Sequence, residues 1–275
     1  MVASQLCRVD QSSLRFVDNF IAMAARTIPP LLPHVVFVAS DTMARSAFEA
    51  RSPAVLHAAM DAPSPFHVAL RVLELGFDAL VLDPSSLPMR HPLNHLLDVP
   101  RCDLAAGLDH ADPSRLLVFK GLVDLPGSSE RKMDRGHIPS LVWKAEANRL
   151  GAGDLPVVVN PRAMLWQRLN GRALVFLRAV VTHLGDDAKR SPADLSAAFN
   201  AYLATVFAAD VTKDVRLFTA DRVRYSGCVE LGPVGWHPLS PAFFANAGHL
   251  EQLLPQRFAV TPYLVFANLT AVGGA

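Results

Sequence analysis

The stretch "LELGFDALVLDPSSLPMRHP", Leu73–Pro92, decides the fold. It opens on the end of a helix: in "PFHVALRVLELG" the residues Val68, Val72 and Leu75 recur on one face, and Gly76 stands where a C-cap favours a residue without a Cβ. "FDALVLD" follows, a continuous apolar run of the kind buried on both faces of a sheet. The run stops at Asp83, with two prolines and two serines in the next five residues. A helix feeding a buried strand is the repeating unit of an α/β fold, and open α/β sheets gather ligands at the carboxyl ends of their strands. Asp83 therefore stands where a site belongs. The plainer role for it is to cap the turn made by Pro84, Ser85 and Ser86.

The neighbouring segments repeat the pattern. "LRFVDNFIAMAARTIPP" places Leu14, Val17, Ile21 and Ala24 at helical spacing and stops at Pro29. "HVVFVASD" then reads as a strand ending at Ser40 and Asp41, and "TMARSAFEA" as the next helix. "CDLAAGLDH" reads as a further strand ending near Asp109, so Asp41, Asp83 and Asp109 all fall at strand ends. Residues 112–155 are polar and rich in glycine and proline, which predicts a loop excursion or lid rather than a second domain. Order resumes with a strand at Val157–Val159 and a helix in "GRALVFLRAVVTHLG" with Leu174, Leu177 and Val181 on its inner face. A second helix follows in "SPADLSAAFNAYLATVF", with Ser191 as its cap and Pro192 in its first turn. Short strands such as "DVRLFTA" and "YLVFANL" alternate with loops in the tail. The prediction is one α/β domain over residues 1–275 with a mostly parallel sheet.

Composition narrows the function. Of 275 residues 51% are hydrophobic and 19% charged, enough for one large core or two modest ones in a soluble globular chain. The 26 basic and 25 acidic residues are interspersed, leaving a net charge of +1 and no basic footprint for nucleic acid or an acidic membrane. No apolar run reaches the ~18 residues of a spanning helix, and the opening residues carry polarity where a leader needs an apolar run. Cys7, Cys102 and Cys228 are far apart and permit at most one disulfide.

Familiar catalytic signatures are missing. The sequence has no G-x-S-x-G, no H-E-x-x-H and no glycine-rich phosphate loop, and its "ASDTMARS" lacks the glycines that a dinucleotide fold needs after its first strand. "RHPLNHLLD" offers His91, His95 and Asp98 at a spacing that puts them on one helical face, a weak metal signal because Pro92 opens the helix after His91.

"LRVLELGFDALVLDPSSLPMRHPL" resembles the nucleotide-diphospho-sugar transferase family of GT-A glycosyltransferases, in which a helix ends in Gly-aromatic, a buried strand follows, and an Asp-any-Asp motif leads to a turn and a proline. Gly76-Phe77, the strand Ala79–Leu82, Asp83-Pro84-Ser85 and Pro92 stand in that order. "CDLAAGLDH" resembles the family strand ending in an aspartate, here Asp109. "VVVNPRAMLWQRLNGRALVFLRAVV" is similar to its Asn-any-Gly strand and following helix, with Asn160 matching and Arg162 in place of the glycine. "ADLSAAFN" looks like its Asp-Gln-any-any-Phe-Asn helix, keeping Asp194, Phe199 and Asn200, with Leu195 for the glutamine. "YLVFANLTAVGG" resembles a terminal His-Ala-Asn segment, with Phe266 for the histidine and Asn268 retained.

The resemblance implies a GT-A, Rossmann-like α/β/α sandwich that transfers a sugar from a nucleoside-diphosphate sugar to a glycan or glycoprotein acceptor. It implies a Mn²⁺ or Mg²⁺ ion, and a Golgi or secretory setting, whereas the chain itself leaves a cytoplasmic one open. Asp83 and Ser85 would meet the metal, since a divalent cation held by carboxylates bridges the two phosphates and neutralises the leaving group. Asp109 and Asp194 would lie near the transferred sugar as catalytic groups, and Asp41, Asn160 and Asn268 would contact the donor. Each has a plainer alternative: a solvated strand end for Asp41 and Asp109, the helix dipole for Asp194, loop backbone for the asparagines. Ser85 and Phe266 remove two expected metal ligands, which brings in a second reading: a catalytically inactive GT-A-like sugar- or protein-binding module.

Overall fold

The computed structural model describes residues 3–50, 56–62, 64–96, 101–109, 158–185, 195–196, 198–199, 202–203, 229–231, 234–239, 244–246 and 262–266. Strands β1 (Ala3–Val9), β2 (Val35–Ala39), β3 (His57–Ala59), β4 (Asp78–Leu82), β6 (Leu104–Asp109), β7 (Val158–Trp166), β8 (Val229–Leu231) and β9 (Val234–Leu239) form an eight-stranded sheet in the order β3-β2-β1-β4-β7-β6-β9-β8. Strands β7 and β8 run against the other six. A smaller sheet, β10-β11-β5, joins Phe244–Asn246, Leu264–Phe266 and Ser86–Pro88.

Helices flank the large sheet on both sides, and the short α4 (Leu93–Leu96) follows β5. Helix α1 (Leu14–Arg26) buries Val17, Phe20 and Ala24, and α2 (Thr42–Glu49) buries Ala44 and Phe48. These share one core with Leu80, Leu82, Leu165 and the small sheet's Phe244 and Phe266. On the other face α3 (Pro65–Glu74) and α5 (Arg172–Leu184) pack with Ala79, Val81, Met164 and Trp166. The alternate residues of β4 thus enter two different cores, as a run buried on both faces requires. Phe66 of α3 meets Phe199 with ring centroids 4.7 Å apart, and full burial of such a ring stabilises the fold by about 2 kcal/mol.

Several expectations need correction. Leu75 is 60% exposed, because it is the C-cap of α3 rather than part of its inner face. Gly76, at φ +96°, closes the helix: its N–H donates to Leu73 O and that of Phe77 to Val72 O, a Schellman motif. In α5 the buried stripe is Ala173, Phe176, Leu177, Val180 and Leu184, with Leu174 and Val181 on its margins. The strand expected over Val157–Val159 continues to Trp166, because Pro161 sits where the β6–β7 register slips between Ala106 and Gly107, and a bulge tolerates proline. Strand β1 was not anticipated. The excursion at 112–155, the strand in "DVRLFTA" and the Ser191 cap lie outside the described residues, although Leu195, Ser196, Ala198, Phe199, Tyr202 and Leu203 are helical.

Candidate functional site

The carboxyl ends of β1, β2, β4 and β6 and the beginning of the antiparallel β7 meet at one end of the sheet. At its centre the backbone N–H of Asp83 donates to Arg162 O at 2.8 Å, and that of Arg162 donates to Asn160 Oδ1 at 2.9 Å. Asn160 is only 1% exposed, and among the described residues its Nδ2 has no hydrogen-bond partner. Because Oδ1 accepts the Arg162 N–H, the orientation of the amide is set, and the group left over is a donor.

Gly107 of β6 pairs with Asn160 across the bulge. A Cβ on Gly107 would lie 3.7 Å from Asn160 Cβ, 3.8 Å from Phe266 Cε2 and 3.9 Å from Phe244 Cβ. Phe266 in turn pairs with Ser86 of β5, three residues after Asp83. Three segments widely separated in sequence, the Asp83 turn, the Asn160 strand and the Phe266 strand, are thereby drawn together.

The Asp83 carboxylate organises its own turn. Its Oδ1 accepts the Ser85 N–H at 2.7 Å and also the Ser85 hydroxyl, while Ser86 Oγ donates to Asp83 O at 2.5 Å. Its charge reaches back along the neighbouring strand: burial, and then the Asp83 carboxylate, push the Cys7 thiol up. Asp41 is committed as well. Its Oδ1 caps α2 through the Ala44 N–H at 2.7 Å, and its Oδ2 accepts the Gln11 N–H at 2.7 Å. Asp109 ends β6 opposite Val158. Asp194 and Asn268 lie outside the described residues.

Sequence reasoning overlooked Asp10, which follows β1 beside β4. Its Oδ1 accepts the Ser12 and Ser13 hydroxyls and the Ser13 N–H, and its Oδ2 pairs with Arg8 at 2.8 Å. Burial alone would raise its pKa, but the Ser12 hydroxyl, the Arg8 charge and Ser13 together hold it below the ordinary value. "DQSS" after a short run was the available signal.

Among the described residues, the donors at this end do not fit a resident divalent cation. Ser85 is 3% exposed with its hydroxyl turned to Asp83, and Phe266 is wholly buried against Gly107 and Phe244. Among the described residues no group of three or more His, Cys, Asp or Glu side chains is arranged to hold a metal. His91 and His95 also part company: His91 faces the His34 ring at 5.7 Å, whereas His95 stacks on Tyr263 at 5.2 Å. Burial and then the His34 charge push the His91 imidazole below its ordinary pKa. Asp98 is outside the described residues.

Among the described residues no helix is long and apolar enough to cross a membrane. No protein-family model matches the chain, and no relative is found among curated protein sequences. Solved structures that resemble it include glycosyltransferases. The galactosyltransferase LgtC, in complex with donor and acceptor sugar analogues, is 11% identical at a TM-score of 0.43, with 96% of this chain and 86% of that one covered. Mouse xyloside xylosyltransferase 1 is 12% identical at 0.43, with 98% of each chain covered. The bifunctional glycosyltransferase WbbM is 13% identical at 0.45, with 99% of this chain and 46% of that one covered. At such scores the likeness is descriptive, and the case for function rests on the strand ends themselves.

Proposed function

We propose that the chain is a GT-A-type glycosyltransferase that holds a nucleoside-diphosphate sugar over the carboxyl ends of β1, β4 and β6 and delivers the sugar to a glycan or glycoprotein acceptor. The observation that carries this reading is the convergence of the Asp83 turn, Asn160 and Phe266 at one strand end. Those are three of the pieces that resemble the family in sequence, and nothing in their spacing along the chain obliges them to meet. The unpartnered Nδ2 of Asn160 suits an oxygen-rich ligand, either a sugar hydroxyl or a phosphate oxygen. In the transfer, the bond from the anomeric carbon to the diphosphate breaks, the acceptor oxygen takes its place, and the acceptor hydroxyl loses its proton. Asp109 and Asp194 are the carboxylates proposed near that centre, and Asn268 is proposed to contact the donor. We place the protein in an oxidising lumen of the secretory pathway, in keeping with the disulfide-bonded Cys102.

A second reading, a module that binds the sugar nucleotide or a protein without turnover, is favoured by the buried phenyl ring of Phe266 and the inward-turned Ser85 hydroxyl. Calorimetric titration with UDP and GDP tests both. Binding near micromolar, weakened about tenfold or more in Asn160→Ala, is expected, since loss of one buried donor to a charged acceptor costs about 1.5–3 kcal/mol. Release of free sugar from UDP-sugars separates enzyme from module. Failure of both nucleotides to bind would overturn the proposal.

A further inference from the structure

We propose that His91 is an acid-operated latch on the small sheet: neutral, it packs against His34 and holds the β5 segment in place, and protonated, it releases that segment and loosens the Asp83 turn with it. The device is independent of the donor reading above and acts on whatever the strand end binds.

His91 follows the end of β5 by three residues and is only 6% exposed. Its Nδ1 is buried and has no hydrogen-bond partner among the described residues. A neutral imidazole leaves one bond unmade there, whereas an imidazolium carries a charge inward with no acceptor for its Nδ1–H. The His34 ring stands opposite, its centroid 5.7 Å away and its plane at 63°. His34 is held in place: it ends the 3₁₀ turn Leu32–His34, and its N–H donates to Leu31 O at 2.9 Å. Leu31 is tied in turn to α1, its N–H donating to Ala24 O at 2.9 Å and to Thr27 Oγ1 at 2.7 Å. Helix α1 packs on β5 and buries only apolar side chains, Val17, Phe20 and Ala24. Arg90 lies over the Tyr263 ring at 4.5 Å, and His95 of α4 stacks on the same ring at 5.2 Å, so neither offers a counter-charge. Burial first, and the His34 charge second, push the His91 imidazole below its ordinary value of 6.5, and among the described residues no carboxylate offsets them.

Backbone bonds carry the effect to the strand end. The Met89 and Arg90 N–H groups both donate to Tyr263 O, at 2.9 and 3.3 Å, immediately before β11. Strand β5 then pairs with β11 from Pro88 opposite Leu264 to Ser86 opposite Phe266, and the Ser86 N–H donates to Asp83 O at 3.0 Å. The three strands of this sheet have three residues each, too few to hold together without the packing around them. His91 takes a proton more readily when its segment is released than when it is packed. The packed form is therefore fully stable above pH 6.5 and loses stability as pH falls from there through the lower value of the packed imidazole.

The experiment follows the full chain by NMR from about pH 8 to about pH 5, reading the His91 ring and the hydrogen-exchange protection of the Ser86, Met89 and Arg90 amides, corrected for intrinsic exchange. The expected result is a His91 titration below 6.5, with protection falling by up to about tenfold per pH unit between the two values. The Arg168 and Gly235 amides, bonded to Asp78 and Asp103 at the opposite end of the large sheet, should keep theirs. His91→Phe keeps a buried ring with no proton to gain, and should hold protection constant across the range. His34→Gln should move the His91 titration up toward its ordinary value without reaching it, because burial is the larger cause. If His91→Phe does not fold, the titration and protection of the parent decide alone. A His91 that titrates at or above 6.5, or an acid loss of protection at β5 that persists in His91→Phe, would overturn the latch. Simultaneous loss at Arg168 and Gly235 would overturn it too, since the effect would then be general acid unfolding.

Discussion

The two ends of the sheet use aspartate in opposite ways. At the amino ends Asp78 Oδ1 accepts the Arg168 N–H at 2.8 Å, 90 residues away, and Asp103 Oδ2 accepts the Gly235 N–H at 2.8 Å, 132 residues away. Asp103 also pairs with Arg172 at 2.9 Å, its own side chain fully buried. At the carboxyl ends Asp83 binds Ser85, two residues on, and Asp10 binds Arg8, Ser12 and Ser13. The distant bonds stitch strands and helices together, whereas the local ones shape loops. Asp78 and Asp103 at one end are therefore part of what joins the strands and helices, whereas Asp83 and Asp10 at the other shape the turns that follow their own strands, and Asp41 caps α2 while reaching back to Gln11.

This contrast is open to direct attack, beginning with the largest effect. Asp103→Ala strands the Gly235 N–H and unpairs a half-exposed Arg172, so unfolding free energy should fall by about 3 kcal/mol in urea denaturation. A loss under about 1 kcal/mol would erase the distinction between the ends. An intermediate effect is expected at Asp10. Its folded pKa lies below the unfolded value, so the stability it contributes is present above the ordinary value of 3.8 and is lost as pH falls through the folded pKa. Asp10→Asn should flatten the acid side of the stability profile and leave its neutral-to-basic shape unchanged, and an unaltered acid slope would contradict the assignment. Least affected should be Asp83→Asn. The amide keeps an oxygen for the Ser85 N–H, so stability should stay within about 0.5 kcal/mol of the parent, and a larger drop would make Asp83 a structural residue after all.

Much of this frame was legible in the sequence. Helix α3, its Gly76 cap and the buried strand β4 announce themselves because each obeys a single local rule: helical spacing, positive φ, and an uninterrupted apolar run. Strand β1 was hidden by its composition. Gln5 and Cys7 are buried between β2 and β4, and Arg8 is turned to Asp10, so "ASQLCRV" carries neither alternation nor an apolar run. Strand β7 was cut short because Pro161 reads as a terminator until the bulge that accommodates it is known. The site was half legible for a similar reason. Asp83 and Asn160 can be picked out one at a time, but that the Asn160 amide is turned with its donor unpaired depends on the Arg162 N–H, a tertiary fact. Asp41 shows the converse: a strand-end aspartate that sequence offers for ligand binding has both oxygens engaged by backbone N–H groups.

The same two ends supply the decisive measurement. Asn160 lies at the carboxyl end, its Nδ2 without a partner among the described residues, and Asn170 lies at the other, where its Oδ1 accepts the Arg172 N–H at 3.1 Å. With ¹⁵N-labelled asparagine, the side-chain amide resonances of the two can be followed during titration with UDP, and each assigned by its loss in Asn160→Asp and Asn170→Asp. The account predicts that the Asn160 amide shifts in step with saturation while Asn170 stays fixed. A nucleotide that moves Asn170 and leaves Asn160 in place would contradict it.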